Sequence, residues 1–112
     1  MKIETNRELE RFQISLSGAK IVTDFVIRDN QKLDQISHTW SLLDIGGSLV
    51  IADNSKLNRI ESSMSGAKIG GSFNISNNKE LQKITSDLGS SIISGCFLII
   101  NNKKLSMVSG SM

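Results

Sequence analysis

A strict repeat of 24 residues runs through the sequence without an insertion or a deletion. Four hexapeptides, 25–30, 49–54, 73–78 and 97–102, show it best, and residues 1–6 fall in register with them. A fixed period of this length is typical of a solenoid, whose units cannot bury an apolar face alone and must stack. We therefore predict one domain over residues 1–112, with repeats 1–24, 25–48, 49–72 and 73–96 and a partial repeat 97–112.

Aligning the repeats gives six columns that are apolar in every copy. They are Met1, Phe25, Leu49, Phe73 and Phe97; Ile3, Ile27, Ile51, Ile75 and Ile99; Leu9, Leu33, Leu57, Leu81 and Leu105; Phe12, Ile36, Ile60, Ile84 and Val108; Leu16, Trp40, Met64, Leu88 and Met112; and Ile21, Ile45, Ile69 and Ile93. The first two columns lie two residues apart, which is the alternation of a short strand. Because proline is absent and Ser, Asn, Gly and Ile are plentiful, we predict an all-β solenoid with an aliphatic interior.

One polar column never varies, and all its members are asparagines. Stacked copies about 4.8 Å apart could bond to one another and to the turning backbone, because an amide side chain both donates and accepts. The alternative is a row of solvated turn residues. Ordinary turn positions would drift to Asp, Ser or Gly within five copies, so we favour a structural ladder. Its members are Asn6, Asn30, Asn54, Asn78 and Asn102.

Glycine-rich runs lie between the fifth column and the first, at 17–21, 44–48, 68–72 and 94–96. We expect the glycines there to supply turn conformations that other residues avoid. A Gly-Gly pair can also belong to a phosphate-binding loop. That interpretation lacks the following Gly-Lys-Ser/Thr and a strand-to-helix context, so the turn prediction is favoured.

The skeleton Gly-x-Leu-x-Ile-x-x-Asn-x-x-Leu-x-x-Ile, seen from Gly47 to Ile60 and from Gly71 to Ile84, resembles repeats of the receptor L-domain branch of the leucine-rich-repeat superfamily. Without the glycine it recurs over 24–36 and 96–108. The resemblance implies a right-handed parallel β-helix of about 4.7 coils with an asparagine ladder, and a role in extracellular or cell-surface recognition. Receptor L domains carry cap disulfides and irregular repeats, whereas this chain has one cysteine and a rigid period, so the resemblance implies no growth-factor binding and no ligand residues.

Composition excludes several other classes of function. The 13 basic and 11 acidic residues are too balanced for a nucleic-acid surface, and there are only five aromatic residues to stack on bases. No stretch approaches the roughly 18 apolar residues of a membrane span, and residues 1–7 contain no signal-peptide apolar region. The single Cys96 excludes an internal disulfide and a cysteine-based zinc cluster.

No group of residues predicts catalysis, a metal or a cofactor. His38, the only histidine, has no second imidazole nearby in the repeat, so we expect a surface or turn histidine. Asp24 could orient it for a serine nucleophile, but nothing places the two together. Cys96 replaces Asp24, Ser48 and Ser72 and is expected at a partly exposed turn. We predict a non-enzyme with no cofactor. Residues 74–76 form a glycosylation sequon that would be used only in a secreted protein.

The outward strand positions are the best candidate binding face. Two of them, Leu98 and Ile100, are apolar side chains on a face expected to meet water. A row of lysines on the next turn, Lys32, Lys56 and Lys104 beside Lys79 and Lys103, is expected to form a mild basic rim that would suit an acidic glycan or protein. The candidate face comprises Val26, Arg28, Val50, Ala52, Asn74, Ser76, Leu98 and Ile100.

Two functions are compatible with these patterns. The first is a non-enzymatic module that recognises a protein or glycan. The alternative is a structural solenoid whose copies stack end to end into oligomers or filaments. The sequence begins in a core column at Met1 and ends in another at Met112 without polar capping repeats, which we expect to favour pairing of exposed strand edges.

Overall fold

A computed structural model describes residues 1–13 and 15–110 of the chain. These residues form a parallel β-solenoid with three sheets around one core. Each full 24-residue coil contributes one strand to each sheet, and the described part contains no helix. The predicted all-β solenoid is therefore confirmed.

Sheet 1 and sheet 2 have five strands each and sheet 3 has four. The strands of sheet 1 are β1 (Lys2–Glu4), β4 (Phe25–Arg28), β7 (Leu49–Ala52), β10 (Phe73–Ser76) and β13 (Phe97–Ile100). Those of sheet 2 are β2 (Arg11–Phe12), β5 (Gln35–Thr39), β8 (Arg59–Ser63), β11 (Lys83–Asp87) and β14 (Met107–Ser109). Those of sheet 3 are β3 (Lys20–Ile21), β6 (Asp44–Ile45), β9 (Lys68–Ile69) and β12 (Ile92–Ile93).

The register between coils equals the sequence period everywhere. Ile27 pairs with Ile51 in sheet 1, Ile36 with Ile60 in sheet 2, and Ile45 with Ile69 in sheet 3. Every column of the sequence alignment is therefore a physical row of stacked side chains. A slip of one residue would turn an inward row to the surface, which is why one face of each strand must remain apolar.

The core is built from the predicted columns. In the inner coils Phe25, Leu49, Ile51 and Leu57 are fully buried, whereas members of the same columns in the end coils, such as Phe97, are half-buried. Trp40 packs against Phe25 with ring centroids 5.0 Å apart. A further row that the sequence analysis did not include, with Leu43 and Ala67 buried, completes the interior. Met112, assigned to the fifth column, lies outside the described residues.

The asparagine ladder is present. The Asn54 Nδ2 donates to Asn78 Oδ1 (3.2 Å) and to the backbone oxygen of Ile27 (3.1 Å). The Asn54 Oδ1 accepts from both the backbone N–H (3.2 Å) and the Nδ2 (3.1 Å) of Asn30. Both donors and both acceptor sites of the amide are thus used, in a side chain that is fully buried. The same pattern extends along the row Asn6, Asn30, Asn54, Asn78 and Asn102.

The bend itself explains why this ladder is needed. The residue before each ladder asparagine has a left-handed backbone, with φ between 54° and 56°, which turns the following N–H away from the next strand. The side-chain oxygen of the next coil accepts that N–H instead, so no backbone donor is lost at the bend. The left-handed residues are Thr5, Asp29, Asp53, Asn77 and Asn101.

A second side-chain ladder bonds the backbone where sheet 3 turns into sheet 1. Here the Ser72 N–H donates to Ser48 Oγ (3.0 Å) and the Cys96 N–H donates to Ser72 Oγ (3.1 Å). At the start of the row the Ser48 N–H donates to Asp24 Oδ1 (2.8 Å). In this row each acceptor lies in the preceding coil, whereas in the asparagine ladder it lies in the following coil. The two ladders therefore link neighbouring coils in opposite senses.

The inner side of sheet 2 carries a polar pair. Ser62 and Ser86 are buried and share a hydrogen bond between their Oγ atoms (2.9 Å). The backbone of His38 pairs with that of Ser62 in the register of β5 and β8 and therefore belongs to a strand. Of the two positions expected for this histidine, surface or turn, the turn is wrong.

The glycines have two different roles, and the expectation of turn conformations holds for only one of them. Gly18 and Gly66 have φ of +74° and +71°. Gly46 and Gly70 do not have left-handed backbones. A Cβ on Gly70 would overlap the backbone oxygen of Gly46, and a Cβ on Gly46 would overlap that of Val22. These glycines are required because the coils approach each other backbone to backbone.

The two roles predict different costs for the same substitution. Gly70→Ala should lower the free energy of unfolding by about 3 kcal/mol or more, because the new methyl group meets a backbone oxygen that cannot retreat. Gly18→Ala should cost about 1 kcal/mol, since its site is open and only the left-handed backbone opposes the change. Urea titrations of both variants would measure the difference, and equal costs would contradict the close-approach role.

Candidate functional site

The outer face of sheet 1 brings the predicted binding residues together in two adjacent rows. The register pairs Val26 with Val50, and the same row continues through Asn74 to Leu98. Leu98, the last member of this first row, is 37% exposed, and Ile100, the last member of the second row, is 43% exposed. The second row contains Arg28, Ala52, Ser76 and Ile100. The four-strand block thus presents aliphatic side chains interrupted by Arg28, Asn74 and Ser76.

Ala52 departs from the expected exposure, because only 5% of its surface meets solvent. Its methyl group is short, and its register neighbour Arg28 extends to the Asp53 carboxylate in the coil of Ala52, with Nη2 and Oδ2 3.5 Å apart. Ala52 therefore contributes little accessible surface to the candidate face, and its role as a contact residue stays a prediction.

Arg28 is the fixed charge of this face. Its Nε donates to Asp29 Oδ2 at 2.9 Å. This hydrogen bond, followed by the charge of Asp29 and then by that of Asp53, raises the pKa of Arg28 above its ordinary value. Because the group is fully exposed, the ion pairs orient the guanidinium without adding much stability.

Asn74 has an unsatisfied polar atom in the middle of the aliphatic row. Its Oδ1 is buried and has no hydrogen-bond partner among the described residues. The side chain is half-buried between Val50 and Leu98 in the neighbouring strands. The sequon asparagine is thus part of a strand face and lies in the centre of β10.

The outer side of sheet 2 carries a second surface, which the sequence analysis did not single out. It forms an open, shallow depression of about 640 Å³. The sequence could have revealed this surface, because polar residues alternate with the inward Ile36 of the fourth apolar column along the same strand. These polar residues are Gln35, Ser37 and Thr39. The depression is lined by Gln13, Ser15, Ser37, Thr39, Glu61, Ser62, Ser63, Lys83 and Thr85. Hydroxyl and charged groups of this kind can form hydrogen bonds to a polar ligand.

The lysine row on the turn after the asparagine ladder is not uniformly basic. Glu8 occupies the column of Lys32 and pairs with it at 3.1 Å, and Glu80 pairs with Lys104 at 2.7 Å. The hydrogen bond from Lys104 Nζ, then its charge, lowers the pKa of Glu80 below its ordinary value. The predicted mild basic rim is therefore interrupted by an acidic residue in the first coil, Glu8, and in the fourth coil, Glu80.

Other candidate groups do not converge. Cys96 is exposed, and its backbone N–H belongs to the serine ladder.

Over residues 1–13 and 15–110, no cluster of three or more His, Cys, Asp or Glu is arranged to hold a metal ion. No helix in that part of the chain is long and apolar enough to cross a membrane. At the outermost coils the core side chains are partly open, with Met1 42% and Val108 41% exposed.

The unpaired Oδ1 of Asn74 predicts how a substitution at this position changes stability. Asn74→Val should raise the free energy of unfolding by about 1 kcal/mol, because it removes a buried unpaired carbonyl and places a β-branched residue between aliphatic neighbours. The matched control is Asn77→Val, which should be destabilising, since a β-branched residue is poorly suited to φ +56°. Denaturant titrations in which both variants shifted in the same direction would contradict this assignment.

Comparison with known proteins finds no matching family model, no matching curated protein and no matching solved structure. The resemblance to receptor L domains therefore stays a prediction that rests on the repeat skeleton alone.

Proposed function

We propose that this chain is a non-enzymatic recognition module that binds a protein ligand through the outer face of sheet 1, at the cell surface or outside the cell. The location follows from the resemblance of the repeat to receptor L domains and is part of the same proposal. Of the two ligand classes expected from the sequence, protein is favoured over glycan because this face is mainly aliphatic.

The observation that carries the proposal is the exposed apolar pair Leu98 and Ile100 at the end of a regular flat face. Both side chains lie on β13 and expose 37% and 43% of their surface, although charged residues occupy the same rows at Lys2 and Glu4 in β1. An aliphatic surface with charged residues at one margin has the composition of a protein contact, where apolar atoms lie centrally and polar ones at the rim.

The difference between the inward and outward rows of the repeat supports the same proposal. The apolar core columns and the asparagine ladder keep one chemical type from coil to coil. The outward row Lys2, Val26, Val50, Asn74 and Leu98 contains four different residue types. A scaffold of this kind can vary a surface without disturbing its interior, which suits recognition. The open, shallow form of the sheet 2 depression suits surface contact better than catalysis.

End-to-end stacking remains the alternative prediction. End-to-end stacking predicts that copies of the chain associate with one another, whereas the proposed function predicts binding to a different protein. Leu98 and Ile100 lie on the lateral face, so substitutions there test recognition while they leave the inward core rows unchanged.

The test is site-specific photo-crosslinking in the cells that produce the protein. A photoreactive amino acid at Leu98 should yield an adduct with a protein of one defined mass, and the same group at Val22, which is 78% exposed on the side of sheet 3, should not. Excess wild-type chain should compete with the adduct, whereas excess Leu98→Asp/Ile100→Asp should fail to do so.

Four results would overturn the proposal. Equal adducts from both positions, or none from Leu98, would remove the sheet 1 face as a contact surface. An adduct with the mass of two copies would favour self-assembly, and a carbohydrate adduct would contradict the choice of a protein ligand.

A further inference from the structure

Charge is unevenly distributed along the corner that joins sheet 1 to sheet 2. In the first two coils, residues 7–11 and 31–35 contain Arg7, Arg11 and Lys32 together with the acids Glu8, Glu10 and Asp34. In the next three coils the equivalent segments, 55–59, 79–83 and 103–107, contain a single acid, Glu80. We call their cations the basic corner; they are Lys56, Arg59, Lys79, Lys83, Lys103 and Lys104.

Most of the basic corner is not neutralised within the molecule. Lys104 pairs with Glu80 at 2.7 Å, and Arg59 pairs with Glu61 at 3.3 Å. The other four lysines, 56, 79, 83 and 103, are exposed and form no ion pair with any residue that the structure describes. Uncompensated cations held close together raise the local positive potential and attract anions.

The solenoid places some of these cations in stacked pairs. Arg59 and Lys83 are direct register partners, and Lys79 and Lys103 occupy equivalent positions one coil apart, so the two residues of each pair lie about 4.8 Å apart along the axis. Lys56 and Asn58 both line two neighbouring hollows at this corner, of about 430 and 370 Å³. The first hollow is also lined by Ser55, Lys79 and Glu80, and the second by Asp34, Gln35 and Arg59, so each contains cations beside one carboxylate.

We propose that the basic corner binds a sulfated polysaccharide. A row of lysines offers mobile point charges, which suit sulfate groups spread along a flexible chain, while Ser55 and Asn58 can hydrogen-bond sugar hydroxyls. Single-stranded nucleic acid is disfavoured because its binding uses exposed aromatic side chains, and Phe12, Phe25, Phe73 and Trp40 are buried. This ligand class and surface are additional to the proposed protein contact of sheet 1.

The test is a titration of the full chain with a fluorescent heparin-derived hexasaccharide at several salt concentrations. Lys56→Gln/Lys79→Gln should weaken binding at least tenfold at low salt and make the dependence of log affinity on log salt shallower, because two ionic contacts are lost. The matched control is Lys20→Gln/Lys68→Gln, two exposed lysines of sheet 3 that remove the same charge elsewhere. It should change affinity by less than twofold.

Melting curves of both variants should match that of the wild type, since the four side chains are exposed. The desulfated hexasaccharide should not bind, and a single-stranded oligonucleotide of equal charge should bind at least tenfold more weakly. The proposal is overturned if the wild type does not bind at low salt, if the control loses as much affinity as the corner variant, or if the oligonucleotide binds as tightly. Each of these outcomes leaves the sheet 1 proposal unaffected.

Discussion

The hydrogen bond from each ladder asparagine N–H to the side-chain oxygen of the next asparagine is the interaction on which the rest of the fold depends. A coil of 24 residues must bend sharply after each strand of sheet 1, and a left-handed residue at the bend removes the next N–H from the strand ladder. Asn54 and Asn78 replace that lost bond with buried amide groups whose donors and acceptors are all used. A buried amide left unpaired would instead cost about 1–3 kcal/mol.

This ladder fixes the register and, through it, the rest of the sequence. Because each side chain must reach its copy in the next coil, the period cannot vary by one residue, and every other column inherits the same spacing. The serine ladder around Ser48 and Ser72 supports the turn from sheet 3 to sheet 1, and its hydrogen bonds run to acceptors in the preceding coil. Between them the coils are close enough that Gly46 and Gly70 tolerate no Cβ. The aliphatic core then fills the space that these constraints leave.

Much of this could be predicted from the sequence, because a repeat converts each position into a column whose chemistry is sampled several times. The fold class, the core columns and the asparagine ladder follow from that sampling. Features that depend on neighbours outside a column could not be predicted in this way. Ala52 is buried although it lies in an outward row, Gly70 is required by a backbone oxygen in another coil, and Ser62 is polar although it faces inward. The predicted lysine rim did not include the acidic residues Glu8 and Glu80, which pair with Lys32 and Lys104 of the neighbouring coils.

Amide hydrogen exchange followed by NMR tests the central role of the ladder most directly. The backbone N–H groups of Asn30, Asn54 and Asn78 bond to side-chain oxygens of the next coil at 3.2, 3.1 and 3.0 Å. The account predicts that they exchange as slowly as the strand amides of sheet 1, opening only with global unfolding. Exchange at the rate of exposed turn amides, while the neighbouring strands stay protected, would show that the asparagines are ordinary turn residues and would contradict it.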